Sequence, residues 1–135
     1  METKIKEFFK NDRYAVLSGI ELLDVKPGRA KASMEIKEMH LNAGNVIQGG
    51  AIYTLADFAF AAAVNAYGNL AMSIEANIRY FKGESSGVLF AEAKLVNLHK
   101  KLATFSVEVT NSADELIALF TATAYRKAFS LPFNE

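Results

Sequence analysis

The chain has 135 residues, 51% of them hydrophobic and 22% charged, with 15 basic side chains against 15 acidic ones. That length fits one domain with its own core, and the zero net charge gives no electrostatic reason to expect nucleic acid or an anionic membrane as partner. Cysteine is absent, which excludes disulfides, thiolate metal sites and a cysteine nucleophile; it also suits a reducing compartment, so the expected location is cytoplasmic.

The opening METKIKEFFKND lacks the apolar run of a signal peptide. Ile5, Phe8 and Phe9 fall at helical spacing, predicting a short amphipathic helix over about 2–11. Pro27-Gly28 marks a turn between two strand-like segments, 16–25 and 29–37. In the second, Ala30, Ala32, Met34 and Ile36 alternate with Lys31, Ser33, Glu35 and Lys37, as in a half-buried strand. EMHLNAGNVIQGG, residues 38–50, reads as an Asn- and Gly-rich loop. An alanine-rich helix follows over about 50–67, with Gly68 placed as a left-handed cap. Thr54, Asp57 and Asn65 interrupt it too often for a membrane span.

Beyond Gly68 the period changes to two. Strands are expected over 71–81, 88–98, 102–110 and 116–126, joined by KGESSG, HKK and NSADE. Connections this short imply antiparallel neighbours. A helix apolar nearly all round needs cover on most sides, and the simplest cover is an antiparallel sheet wrapped around it. The expected fold is therefore one α+β domain over residues 1–135, with 128–135 as a peripheral tail.

Asp57 is the only Asp, Glu, Lys or Arg between Met39 and Ser73. At 100° per residue, Gly50, Tyr53, Thr54, Ala61 and Val64 share its face, while Ile52, Leu55, Ala59, Ala62 and Ala66 lie opposite. The helix alone leaves two readings open. Asp57 could sit on a solvated face or pair with an arginine; or it could be a desolvated carboxylate with a raised pKa, as a general base near neutral pH requires. Gly49 and Gly50 stand at the start of the helix. The first N–H groups of a helix lack internal partners and point along its positive end, and glycine lets a ligand approach them closely. A carbonyl polarised there and a carboxylate on the same face could address one substrate.

Asn42-Ala43-Gly44-Asn45-Val46-Ile47-Gln48-Gly49-Gly50, followed by Leu55-Ala56-Asp57, resembles the active-site segment of hot-dog-fold acyl-CoA thioesterases, the phenylacetate-degradation (PaaI-like) group. The resemblance covers roughly residues 14–127 and implies a hot-dog fold, thioester hydrolysis, and sites formed between subunits of a homodimer or homotetramer. It implies that Asp57 is general base or nucleophile, that the Gly49 N–H is the main oxyanion donor, and that Asn42 helps position the water or the thioester. It implies no metal and no cofactor, with coenzyme A entering as part of the substrate. Gln48 stands where the group usually has His; an amide can donate a hydrogen bond but cannot carry a proton or charge. The common Arg-Pro pair after the helix is also missing, the chain reading Arg79-Tyr80-Phe81-Lys82-Gly83.

Gly50, Thr54 and Tyr53 are further candidates for contact with substrate. Arg79, Lys82, Lys100 and Lys101 could meet coenzyme A phosphates, although a solvated surface is the commoner fate of such residues. Tyr53, Phe58, Phe60 and Tyr80 could line an acyl pocket, or simply be core. His40 and His99, the only histidines, are expected at the surface and not at zinc. Phe129 and Phe133 are expected to pack on a neighbouring subunit. No G-x-S-x-G elbow or phosphate-binding G-x-x-x-x-G-K-[ST] loop is present. Two rivals to hydrolysis remain: an acyl-CoA or acyl-ligand binding module, prompted by Gln48, and a hot-dog dehydratase, which would need a histidine beside the acid.

Overall fold

In the computed structural model, which describes residues 1–134, the chain forms α1 (Glu2–Phe9), α2 (Arg13–Leu17), β1 (Ile20–Lys26), β2 (Arg29–Glu35), a single 3-10 turn (Glu38–His40), α3 (Gly49–Asn65), β3 (Asn69–Tyr80), β4 (Val88–Leu98), β5 (Leu102–Thr110) and β6 (Leu116–Ser130). The six strands make one sheet in the order β1-β2-β4-β5-β6-β3, antiparallel at every pairing. α3 packs against all six. This is the hot-dog architecture, a sheet rolled around one long helix.

Small side chains make the wrapping possible. Ile52, Leu55, Ala59, Ala62 and Ala66 of α3 are all buried, and they face buried Ala30, Ala32, Ala91, Ala93, Ala118, Ala122 and Ala124 from the sheet. Alanines on both sides let helix and sheet approach closely. Phe60 fills the remaining space, with its ring centroid 5.6 Å from that of Phe105 and 6.0 Å from that of Phe120. The opposite face of α3 is only partly covered at Tyr53, Thr54, Asp57 and Ala61, and Gly50 is exposed.

Several expectations change. The strand read over 16–25 begins only at Ile20, because Asp12 caps a short helix before it, accepting from the Ala15 N–H at 3.1 Å. Gly19, at φ +82°, then turns the chain into β1. α3 stops two residues earlier than read. Asn65 there donates to the Ala61 and Ala71 carbonyls (2.9 and 3.3 Å) and accepts from the Ala71 N–H (2.9 Å), tying the helix end directly to β3. The supposed peripheral tail is partly strand: β6 continues to Ser130, opposite Asn69. Beyond it Leu131 and Phe133 are buried, and the Phe133 ring packs edge-on against Phe8 of the same chain at 5.4 Å. Phe133 is thus not left for a neighbouring subunit, while Phe129 stays exposed.

β3 is an edge strand. Met72 and Ile74 on it are 53% and 61% exposed, so one row of backbone groups and an apolar strip lie open together, an arrangement suited to strand pairing. Among the described residues no helix is long and apolar enough to cross a membrane.

Candidate active site

The amino end of α3 leaves two amides unclaimed. The Gln48 carbonyl accepts from the Ala51 and Ile52 N–H groups at 3.0 and 3.3 Å. The N–H groups of Gly49 and Gly50 have no protein partner among the described residues. They are adjacent donors at the positive end of a seventeen-residue helix.

Contacts from remote parts of the chain hold this end in place. The segment before α3 folds back on itself through a Leu41–Ile47 bridge, and the Asn42 side-chain oxygen accepts from the Gly44 and Val46 N–H groups at 2.9 and 3.2 Å. Asn42 therefore spends its acceptor on building the turn and keeps only its amide N–H groups for a ligand. On one side the Ile47 N–H donates to the Glu84 carbonyl (2.8 Å). On the other, the Gln48 N–H donates to the His40 carbonyl (2.8 Å).

His40 corrects an expectation: it is buried, not superficial. Its Nδ1 accepts from the Lys37 N–H at 2.9 Å, so Nε2 carries the proton donated to the Ser18 carbonyl at 2.8 Å. With both ring nitrogens occupied, His40 clips the loop to the α2–β1 turn and is not the histidine a dehydratase would need.

Asp57 lies seven residues after Gly50, a rise of about 10 Å along the same face, and helical side chains lean back toward the amino end. It is partly buried. Burial pushes its pKa up, and the nearby Asp12 carboxylate adds to the shift. No described cation or hydrogen-bond donor of the same chain offsets either effect, so within one chain Asp57 is not paired with an arginine. Tyr53, one turn before it, has its phenol pKa raised by burial, by Asp57 and by Tyr80; burial raises that of Tyr80 too. Both phenols remain proton donors. Nothing near Asp12 in the sequence places its charge beside Asp57.

Two cavities flank the helix end. One, of about 240 Å³, is lined by residues that include Gln48, Ala51, Thr54, Met39 and Tyr14. The other, of about 380 Å³, is lined by Ile47, Gly49, Ile52, Tyr80, Phe81, Lys82 and Gly83. Asp57 lines neither within a single chain. Thr54 donates to the Gly50 carbonyl (2.8 Å). Tyr53 stacks edge-on against Phe120 (5.4 Å), and Phe58 and Phe60 are buried core. Tyr80, read as pocket or core, lines the second cavity and also donates its hydroxyl to the Gly49 carbonyl (2.9 Å).

The cations do not gather here. Arg79 is exposed and opposite Leu119, on the sheet face away from Tyr80 and α3. Lys82 lines the second cavity, yet its ammonium contacts Glu115 at 2.6 Å and Glu84 at 3.6 Å. Lys100 and Lys101 occupy the β4–β5 hairpin with exposed His99, at the far end of an eleven-residue strand that spans about 35 Å. Among the described residues, no three His, Cys, Asp or Glu side chains gather closely enough to hold a metal ion.

The thioesterase superfamily matches residues 44–118, from the loop before α3 to the start of β6. A protein of Archaeoglobus fulgidus, provisionally named an esterase, is 48% identical across 93% of this chain and 83% of its own length. The acyl-coenzyme A thioesterase PaaI of Escherichia coli is 29% identical across 87% of this chain and 85% of its own. The solved structure of E. coli PaaI superposes with a TM-score of 0.89 at 27% identity, covering 92% of this chain and 91% of that one. Human acyl-coenzyme A thioesterase 13 is 32% identical across 73% of this chain and 72% of its own.

Proposed function

Because the chain belongs to the thioesterase superfamily, we propose that it hydrolyses an acyl-CoA thioester to the free acid and coenzyme A. The observation that carries this reading is the partly buried, partnerless Asp57 on the helix face that begins with two free glycine amides. The thioester oxygen takes the Gly49 N–H, which stabilises the charge that develops there as water adds. Asp57 accepts the proton of that water, a role its raised pKa suits better than direct attack. The tetrahedral intermediate expels the coenzyme A sulfur, and Asp57 returns the proton to it. Asn42 orients the water or the thioester through its free amide group, and Gly50, Tyr53 and Thr54 contact the substrate. The cavity beside Gly49 takes one arm of the substrate, where Lys82 can exchange a carboxylate for a phosphate.

Arg79, Lys100 and Lys101 stand apart from that cavity in one chain, so phosphate contacts by them require a second copy. We assign the open β3 edge to such a copy, in a homodimer or homotetramer working in the cytoplasm. The names of the PaaI and human relatives support acyl-CoA as the substrate. Release of thiol from a panel of short, medium, long and aryl acyl-CoAs tests the proposal, with turnover expected for at least one class. Binding of acyl-CoA by calorimetry without thiol release from any member would refute it. That result would favour the second reading, a protein that holds acyl-CoA without turning it over. Gln48 motivates this alternative, because a neutral amide stands where the resemblance to the PaaI-like group implies a His.

A further inference from the structure

Tyr80 ends β3 opposite Ala118, with its side chain on the face that carries α3. Its hydroxyl donates to the Gly49 carbonyl at 2.9 Å across 31 residues of sequence. The ring lies so close over Gly49 that a Cβ there would meet its Cζ and Oη at 3.1 Å. That carbonyl and the Gly50 N–H belong to one peptide unit. Fixing the carbonyl fixes the plane in which the Gly50 N–H points, and a donor on the oxygen polarises the unit and strengthens its N–H as a donor. Tyr80 also lines the 380 Å³ cavity onto which Gly49 opens, and it is 49% exposed. A side chain serving only as core packing would not hold its hydroxyl on a helix-end carbonyl at the mouth of a cavity.

The geometry points to Tyr80 as a positioning residue that locks and polarises the Gly49–Gly50 peptide, making the Gly50 N–H a second oxyanion donor beside that of Gly49. This rests on the thioesterase reading for its kinetic consequence, but not for the polarisation itself, which acts on any bound acyl carbonyl. A side chain at residue 49 would require the ring that supplies the hydroxyl to give way by a few tenths of an ångström.

Tyr80→Phe keeps the ring and removes the hydrogen bond. The expected result is a fall in kcat of about 10- to 100-fold, below the roughly 10²–10³ lost with a whole oxyanion donor. KM should change less than about threefold and the acid limb of the pH profile should stay in place, since Asp57 is untouched. The second readout is the infrared carbonyl band of acyl-CoA bound to the slow Asp57→Asn protein, which should move to higher frequency when Tyr80→Phe is added. A Tyr80→Phe enzyme with unaltered kcat, or an unmoved carbonyl band, overturns the inference. If wild-type protein releases no thiol at all, the hydrolase reading fails alone and the band shift still decides the role of Tyr80. Should the phenylalanine variant melt well below wild type, Gly49→Ala displaces the same ring from an intact helix. It must then reproduce the kcat loss and the band shift; if it does not, the inference falls.

Discussion

Replacing Asp57 by Asn separates chemistry from folding, because the two respond in opposite directions. The variant is nearly isosteric and cannot accept a proton. A positioned general base contributes about 10²–10⁴ in rate, so thiol release should fall by that factor, an activation barrier higher by about 2.7–5.4 kcal/mol. Stability should move the other way. Burial raises the Asp57 pKa, Asp12 raises it further, and no described partner lowers it. Folding therefore favours the protonated acid. Its contribution to stability is fully present below the unfolded value of about 3.9 and is lost as pH rises through the folded value. At about pH 8 the ionised carboxylate opposes folding, so Asp57→Asn should melt at a temperature equal to or above wild type, with the difference vanishing near about pH 4. Thermal unfolding across that range, beside thiol release on the best acyl-CoA, measures both effects. A variant that turns over within about threefold of wild type, or one less stable than wild type at about pH 8, refutes the assignment.

Asp12→Asn keeps a competent helix cap but removes the charge that helps hold the Asp57 pKa up. The acid limb of the rate profile should move to lower pH at low ionic strength, and the difference should shrink in high salt; superimposable limbs at low salt contradict the coupling. Gln48→His puts a titratable donor beside Gly50, where the Gln48 amide oxygen already sits 2.8 Å from the position a Cβ would take. Turnover should rise by about tenfold or more, and a flat result removes Gln48 as the limiting feature. His40→Ala strands the Lys37 N–H and the Ser18 carbonyl. Unfolding by denaturant should show a loss of about 2–4 kcal/mol, and a loss under about 0.5 kcal/mol means that water or relaxation replaces both bonds.

Much of this site is written locally in the chain. The isolated Asp57, the paired Gly49 and Gly50 and the one-turn spacings between them lie within nine residues, so helix geometry alone puts acid and amides on one face. The same holds for β4 and β5, whose alternation matches the observed bounds of Val88–Leu98 and Leu102–Thr110. Where local signals compete, the reading fails. Val16 and Leu17 read as the start of a strand, yet the Asp12 cap and the Gly19 turn place them in a helix. Residues 128–130 look like a tail, yet β3 is long enough to pair with them.

What sequence alone determined is the set of features with short range: the buried helix, its single acid, its glycine start, and strands linked by turns too short for anything but antiparallel pairing. Tertiary structure decided the electrostatics and the partners. It brought the Tyr80 hydroxyl to Gly49, Glu84 to Ile47 and Ser18 to His40, and it placed Lys100 and Lys101 at the far end of the sheet, away from Lys82. Periodicity records which way a side chain faces along its own element; it holds no information about which distant element will arrive opposite, and hydrogen bonds, desolvation and charge coupling depend on that arrival.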